Sequence, residues 1–266
     1  MGEAARWYLA LGVAGAGGLI PAMILFGRLR SGGVLYARPL GLLAIAYGAW
    51  MTSALGIAPY GTGLVVASAA ALWALSAAIG WRHPELLHAI WQRRRQLLAG
   101  ELLFIALLGL ILFVRVQAPE AQHTEKPTDL MVLTAVHRAE QMPPLDPWFA
   151  GATLSYYHLG HAAVDATARL SGIGVGSAFV LGVAAAGALA GTAVFALGGP
   201  GRVLQFTASD RGADGGIAAV RTIRASQRLF RRQGRKDRRH AFHLWAKAHV
   251  IVPLIAQLKR LNAPRD

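Results

Sequence analysis

The sequence predicts an all-α protein, a polytopic membrane helix bundle of about five transmembrane helices with interfacial helices in an outer loop. Three observations lead there. The 266-residue chain is 55% hydrophobic but only 15% charged, where soluble domains carry about 25% charged residues. Five apolar runs reach the roughly 20 residues that a helix needs to cross a bilayer. The basic residues between those runs alternate sides in the way that fixes membrane orientation.

The first run, Trp7–Phe26, is a retained span rather than a cleaved signal peptide. Its flank offers only Glu3 and Arg6, the apolar stretch is long, and no small-x-small cleavage pattern precedes the next span. Gly15, Gly17, Gly18 and Pro21 soften it, which membrane helices tolerate when neighbours satisfy the freed backbone. The second run covers about Pro39–Ile57, the third Gly61–Gly80, the fourth Leu97–Val114 and the fifth Ile173–Leu197. All are rich in Ala, Gly and Leu, and small residues let helices approach closely in lipid.

The connectors set the orientation. The first carries Arg28, Arg30 and Arg38; the second, near Ala58–Tyr60, is uncharged; the third carries Arg82, Arg93, Arg94 and Arg95 against Glu85. Connectors one and three are therefore expected inside, with the N-terminus and connectors two and four outside. The chain accordingly divides into a four-span membrane region (1–115), an extracytoplasmic motif loop (116–172), a fifth transmembrane helix (173–199) and a basic cytoplasmic tail (200–266). The net charge of +14 is uneven: residues 1–200 carry 12 Arg and Lys against 9 Asp and Glu, residues 201–266 carry 15 against 4. The block Arg228–Arg239 fits contact with anionic lipid, and no groove-reading motif supports specific nucleic-acid recognition. The compositional break near Gly198–Gly201 is read either as a genuine cytoplasmic extension or as the end of the family-like part by truncation or frame interruption. The absence of cysteine excludes disulfides, thiolate metal sites and cysteine nucleophiles.

The candidate chemistry lies in Gln122–His161. Lys126-Pro127-Thr128-Asp129 is a helix start, with Pro at the first helical position and Asp favoured by the positive helix end. That helix is expected to run to Glu140, and a second from about Ala152 to Leu170, separated by the prolines of 143–147. Glu125 and Asp129 could face one spot, as divalent-cation ligands or as a general base; the same acids also suit helix capping and a solvated surface. Lys126 could meet a phosphate. Asp146 sits in a turn stiffened by flanking prolines, and Trp148 could stack on a sugar or anchor at the interface. Tyr156, Tyr157 and His161 come next; His161 shares a helix face with Tyr157 and with Asp165, a contact that would fix an imidazole tautomer. Which metal, if any, the spacing leaves open.

Glu125-Lys126-Pro127-Thr128-Asp129, then Pro143-Pro144-Leu145-Asp146-Pro147-Trp148-Phe149-Ala150-Gly151, then Tyr156-Tyr157 with Gly160-His161, resemble the polytopic membrane family named for its Tyr-Tyr-Tyr motif, domain of unknown function 2298. The resemblance is best over about residues 95–200 and stops at Gly199. Ser155 stands where the family has Asn, and His158 where it has its third Tyr. Family proteins are longer, with more spans, so the resemblance implies an N-terminal portion, inactive if truncated. The layout looks like the GT-C class of glycosyltransferases, which use polyprenyl-phosphate sugar donors at extracytoplasmic acids. By that likeness Asp129 or Glu125, with Asp146, would be the catalytic acids, and Lys126 would approach the lipid phosphate. The other expectation is a non-enzymatic scaffold or transporter component.

Overall fold

The computed structural model describes residues 2–117 and 126–209, the last twelve of these by backbone alone. The chain divides into two compact units, Met1–Gly201 and Arg202–Asp266, and the first contains the membrane bundle. Its helices are α1 (Glu3–Phe26), α2 (Ala37–Ala54) preceded by a 3₁₀ turn at Val34–Tyr36, α3 (Thr62–Arg82), α4 (Pro84–Gln92), α5 (Arg94–Val116), α6 (Lys126–Arg138), α7 (Leu159–Ser171) and α8 (Val175–Ser209). Five are long and apolar enough to cross a membrane: Glu3–Phe26, Val34–Ala54, Thr62–Arg82, Arg94–Val116 and Val175–Leu197. The expected helix bundle is thus the observed one.

Close helix contact rests on missing side chains. A Cβ on Gly41 of α2 would lie 1.8 Å from the Ala14 carbonyl oxygen of α1, and one on Gly18 would lie 2.3 Å from that of Ala37. With only hydrogens there, the backbones meet and dispersion contacts accumulate without any water to expel. Hydrogen bonds add to this on the other side of α1: Trp73 of α3 donates to the Val13 carbonyl (3.1 Å) and Ser76 to that of Gly17 (2.5 Å). Gly187 and Gly191 of α8 likewise leave room for Ile111 and Leu107 of α5.

Two features of the spans and their connectors differ from expectation. Residues 84–92, read as connector, form α4: Pro84 starts it with the φ it already has, and none of its residues is buried. Trp81, 90% exposed, precedes it and Trp91, also exposed, sits in its last turn, the pattern of a helix lying in the interface plane. Arg38, counted in the first connector, belongs to α2 and packs beside Gly15, midway along α1. There it pairs with Glu101 of α5. Charges at the centre of a span cost about 2.5–3.5 kcal/mol each, so pairing is how both are kept. Arg38 therefore drops out of the charge count of connector one, which Arg28 and Arg30 still make basic.

The two loop helices are packed rather than lying loose. α6 buries Val132, Leu133 and Val136, and α7 buries Ala162 and Ala166. Of these, Val136, Ala162 and Ala166 join Ile45, Ala49, Val65 and Leu72 of α2 and α3 in one core. The Tyr60 amide donates to the Glu140 carbonyl (2.7 Å) and the Met142 amide to Ser53 Oγ (3.1 Å), tying the loop to the α2–α3 turn. α7 starts at Leu159, not near Ala152. Pro143, Pro144 and Pro147 hold 143–158 out of helix, and a Leu145–Thr153 bridge closes it into a small antiparallel loop.

Candidate functional site

α6 and α7 meet over the α2–α3 turn, and their acids and imidazoles pair across the contact. Asp129, in the first turn of α6, lies 3.6 Å (Oδ1 to Nε2) from His161 in the first turn of α7. That separation exceeds a hydrogen bond. Asp129 remains one-third exposed while His161 is 14% exposed. Burial pushes the His161 imidazole below its usual range, and this outweighs the opposing pull of Asp129 and of the Tyr157 carbonyl one turn back. At neutral pH the imidazole beside Asp129 is therefore neutral.

Asp165, one turn further along α7, is fully buried and collects three donors: Tyr60 Oη at 2.9 Å, His137 Nδ1 at 2.6 Å and Arg169 Nε at 2.6 Å. Arg169 Nη2 also donates to the His137 carbonyl at 2.6 Å, capping the end of α6. Its guanidinium lies 5.1 Å over the Tyr60 ring. A buried carboxylate needs such partners to offset its lost hydration. Burial and the adjacent carboxylate drive the Tyr60 hydroxyl far above the usual phenol range, so it acts only as a donor. His137 is the exposed member, 36% accessible, with its ring oriented through Nδ1.

The aromatic motif forms a third group. Trp50 Nε1 donates to His158 Nε2 at 2.9 Å, and because the indole can only donate, the His158 proton sits on Nδ1, 2.9 Å from the Tyr156 carbonyl. Tyr156 donates its hydroxyl to that of Tyr157 at 2.6 Å. Tyr157 is exposed, as are Leu145, Trp148 and Phe149. Asp146 turns its Oδ1 inward to its own loop, accepting from the Trp148 amide (2.8 Å) and the Phe149 amide (3.1 Å), an Asx turn that fixes the two aromatics outward.

The sequence-derived candidates thus separate. Asp129 and His161 meet, and Tyr156 and Tyr157 meet. Asp146 serves its own turn, with Trp148 exposed beside it. Lys126 begins α6, one turn from Asp129. Glu125 lies outside the described residues. The expected His161–Asp165 contact is not made: the Asp165 oxygens are taken by His137 of α6, by Tyr60 and by Arg169 one turn further along α7, and His161 faces Asp129. Tyr60, His137 and Arg169 were not singled out by sequence. Only the Asp165–Arg169 spacing of four carried a signal; the other partners come from distant positions. Among the described residues no three His, Asp or Glu side chains converge as metal ligands. Asp129 and His161 alone supply two donors to a cation, short of a closed ligand set.

A family model described as "Uncharacterized membrane protein (DUF2298)" matches residues 44–233. The match runs from α2 through both loop helices and α8 and past Gly199, where the motif resemblance stopped, into the basic segment. No curated protein and no solved structure matches.

Proposed function

The chain belongs to the DUF2298 family of uncharacterized membrane proteins, and on that premise we propose that it resembles GT-C-type glycosyltransferases, transferring a sugar from a polyprenyl-phosphate donor at the α6–α7 end of the bundle. Asp129 is the general base. It takes the proton of an acceptor hydroxyl as that oxygen bonds to the anomeric carbon. The bond from that carbon to the donor phosphate breaks, and the lipid phosphate leaves with the electron pair. Lys126, at the start of the same helix, stabilises the charge that develops on the phosphate. His161 stays neutral and so forms no ion pair that would hold Asp129 in its charged form. Trp148 and Tyr157, both exposed, offer ring faces to the sugar. In this reading the arginine-bearing connectors face the cytoplasm, the α6–α7 end faces outward across the cell membrane, and the basic tail meets anionic lipid.

The observation that carries the reading is an accessible acidic side chain beside a largely buried imidazole, both held on helices packed against apolar spans. Asp129→Asn preserves shape and removes the base. In membranes supplied with polyprenyl-phosphate sugar, transfer should fall by about 10²–10⁴-fold while the purified variant elutes as the wild type does. Equal transfer by both proteins removes Asp129 from the chemistry.

A second reading, a non-enzymatic scaffold or transporter component, is favoured by one observation. The Arg38–Glu101 pair lies within the spans, and intramembrane charges commonly mark transport routes. Wild-type membranes that transfer no sugar from such donors would favour this reading.

A further inference from the structure

Away from α6 and α7, the helices α1, α2, α5 and α8 part around a cleft of about 300 Å³ within the apolar zone. That volume is at the lower end for small-molecule sites. Its apolar wall includes Gly12, Gly15, Phe104 and Leu189, and its polar end is formed by Tyr8, Arg38 and Glu101. Gly12 differs from the packing glycines: a Cβ there meets nothing within 4 Å. The space beside it is open, whereas a backbone fills the space beside Gly18 or Gly41.

The polar end defines the ligand. Arg38 Nη2 reaches both oxygens of Glu101 at 2.9 Å, and the Tyr8 hydroxyl donates to Oε1. The guanidinium is further held over the Phe104 ring at 4.1 Å. The two charges cancel, so an anionic head would have to displace Glu101 from Arg38. A carboxylate offers about four acceptor sites, and three are taken. Glu101 is 35% exposed, more than twice as much as Arg38. The polar end therefore leaves an acceptor site open on Glu101, while Arg38 Nε is buried without a hydrogen-bond partner; the complementary group is a neutral hydroxyl on an apolar body, able to donate to the first and accept from the second.

We infer that this cleft binds the hydroxyl end of a neutral single-chain amphiphile, the O–H donating to Glu101 and the chain lying against Gly12, Gly15, Phe104 and Leu189. This does not depend on the proposed transfer chemistry, since no residue of the cleft belongs to α6 or α7.

The test uses the full chain in lipid nanodiscs and a hexadecanol carrying a diazirine close to its hydroxyl. Photolabelling should concentrate on cleft residues and be competed by unlabelled hexadecanol, not by hexadecane. Gly12→Leu fills the cleft without touching the ion pair and should abolish the focused labelling. The double variant Arg38→Met/Glu101→Leu removes both charges together and should weaken it by about tenfold, the weight of one hydrogen bond to a charged group. Size-exclusion profiles establish that each variant folds, and Gly12→Ala provides the smaller obstruction should Gly12→Leu fail. Labelling that survives every folded variant, or that a diazirine-bearing hexadecane reproduces, overturns the inference. Stronger competition by hexadecyl phosphate than by hexadecanol overturns it as well, since the head recognised would then be an anion.

Discussion

Asp165 is the residue on which the loop helices depend most. Its carboxylate, fully buried, is the common acceptor of Tyr60, His137 and Arg169. Asp165→Ala would leave a guanidinium and a phenol buried without their acceptor, and breaking such a pair costs about 3–5 kcal/mol. The expected result is a clear drop in the thermal midpoint of the detergent-purified protein, with Asp165→Asn between the two. His161 makes a different prediction. In the unfolded chain its imidazole titrates near 6.5, and in the folded protein burial holds it lower. Above that pH neither state binds the proton, and His161 gives no slope. As pH falls through 6.5 the unfolded form protonates first, so stability is lost until the folded imidazole also protonates. The wild-type midpoint should fall more steeply than that of His161→Phe as pH is lowered from about 6.5 toward 5; parallel curves would show that burial does not set this group. Asp129 and His161 were both legible as candidates, because acids and imidazoles stand out between apolar runs. Their pairing was not, since periodicity reports only neighbours on one helix and the decisive contacts run between α6 and α7.

At the scale of elements, the α1–α2 seam is the most sharply specified contact. The space for a methyl group at Gly41 is already occupied by the Ala14 carbonyl, 1.8 Å from where the Cβ would sit. Backbone cannot turn aside as a side chain can, so α1 and α2 must separate. Gly41→Ala should destabilise the protein by about 1–3 kcal/mol or more, read as a lower midpoint and reduced monodisperse yield. Gly63→Ala, where a Cβ meets nothing within 4 Å, should leave both unchanged. The spans themselves were readable because twenty consecutive apolar residues have few other uses. α4 was not: nine residues between Arg82 and Arg93 look like connector, and Leu87 and Trp91 stay exposed on it rather than joining the core. The start of α7 was misplaced for a local reason. Three prolines and the Leu145–Thr153 bridge hold the chain extended beyond the point where apolar spacing resumes.

For the molecule as a whole, the described arrangement places two chemically distinct ends on one bundle. One end gathers Arg28 and Arg30 with Arg82, Arg93, Arg94 and Arg95 around α4. The other gathers the acids, imidazoles and exposed aromatics of α6, α7 and their joining loop. With Arg38 internal and paired, the charge bias between the two ends keeps the same sign, and the orientation expected from it is unchanged as an expectation. The prediction is that the arginine end is cytoplasmic and the α6–α7 end is outside. The chain contains no cysteine, so single substitutions report cleanly. Gly160→Cys, at the start of α7, should react with a membrane-impermeant maleimide on intact cells. Gln92→Cys, exposed at the end of α4, should react only after permeabilisation. The reverse pattern would put Asp129 on the side where an extracytoplasmic lipid-linked donor never presents its sugar, and the transfer chemistry would fail with it. The intramembrane cleft would stand, because a neutral amphiphile reaches Glu101 laterally through lipid from either orientation.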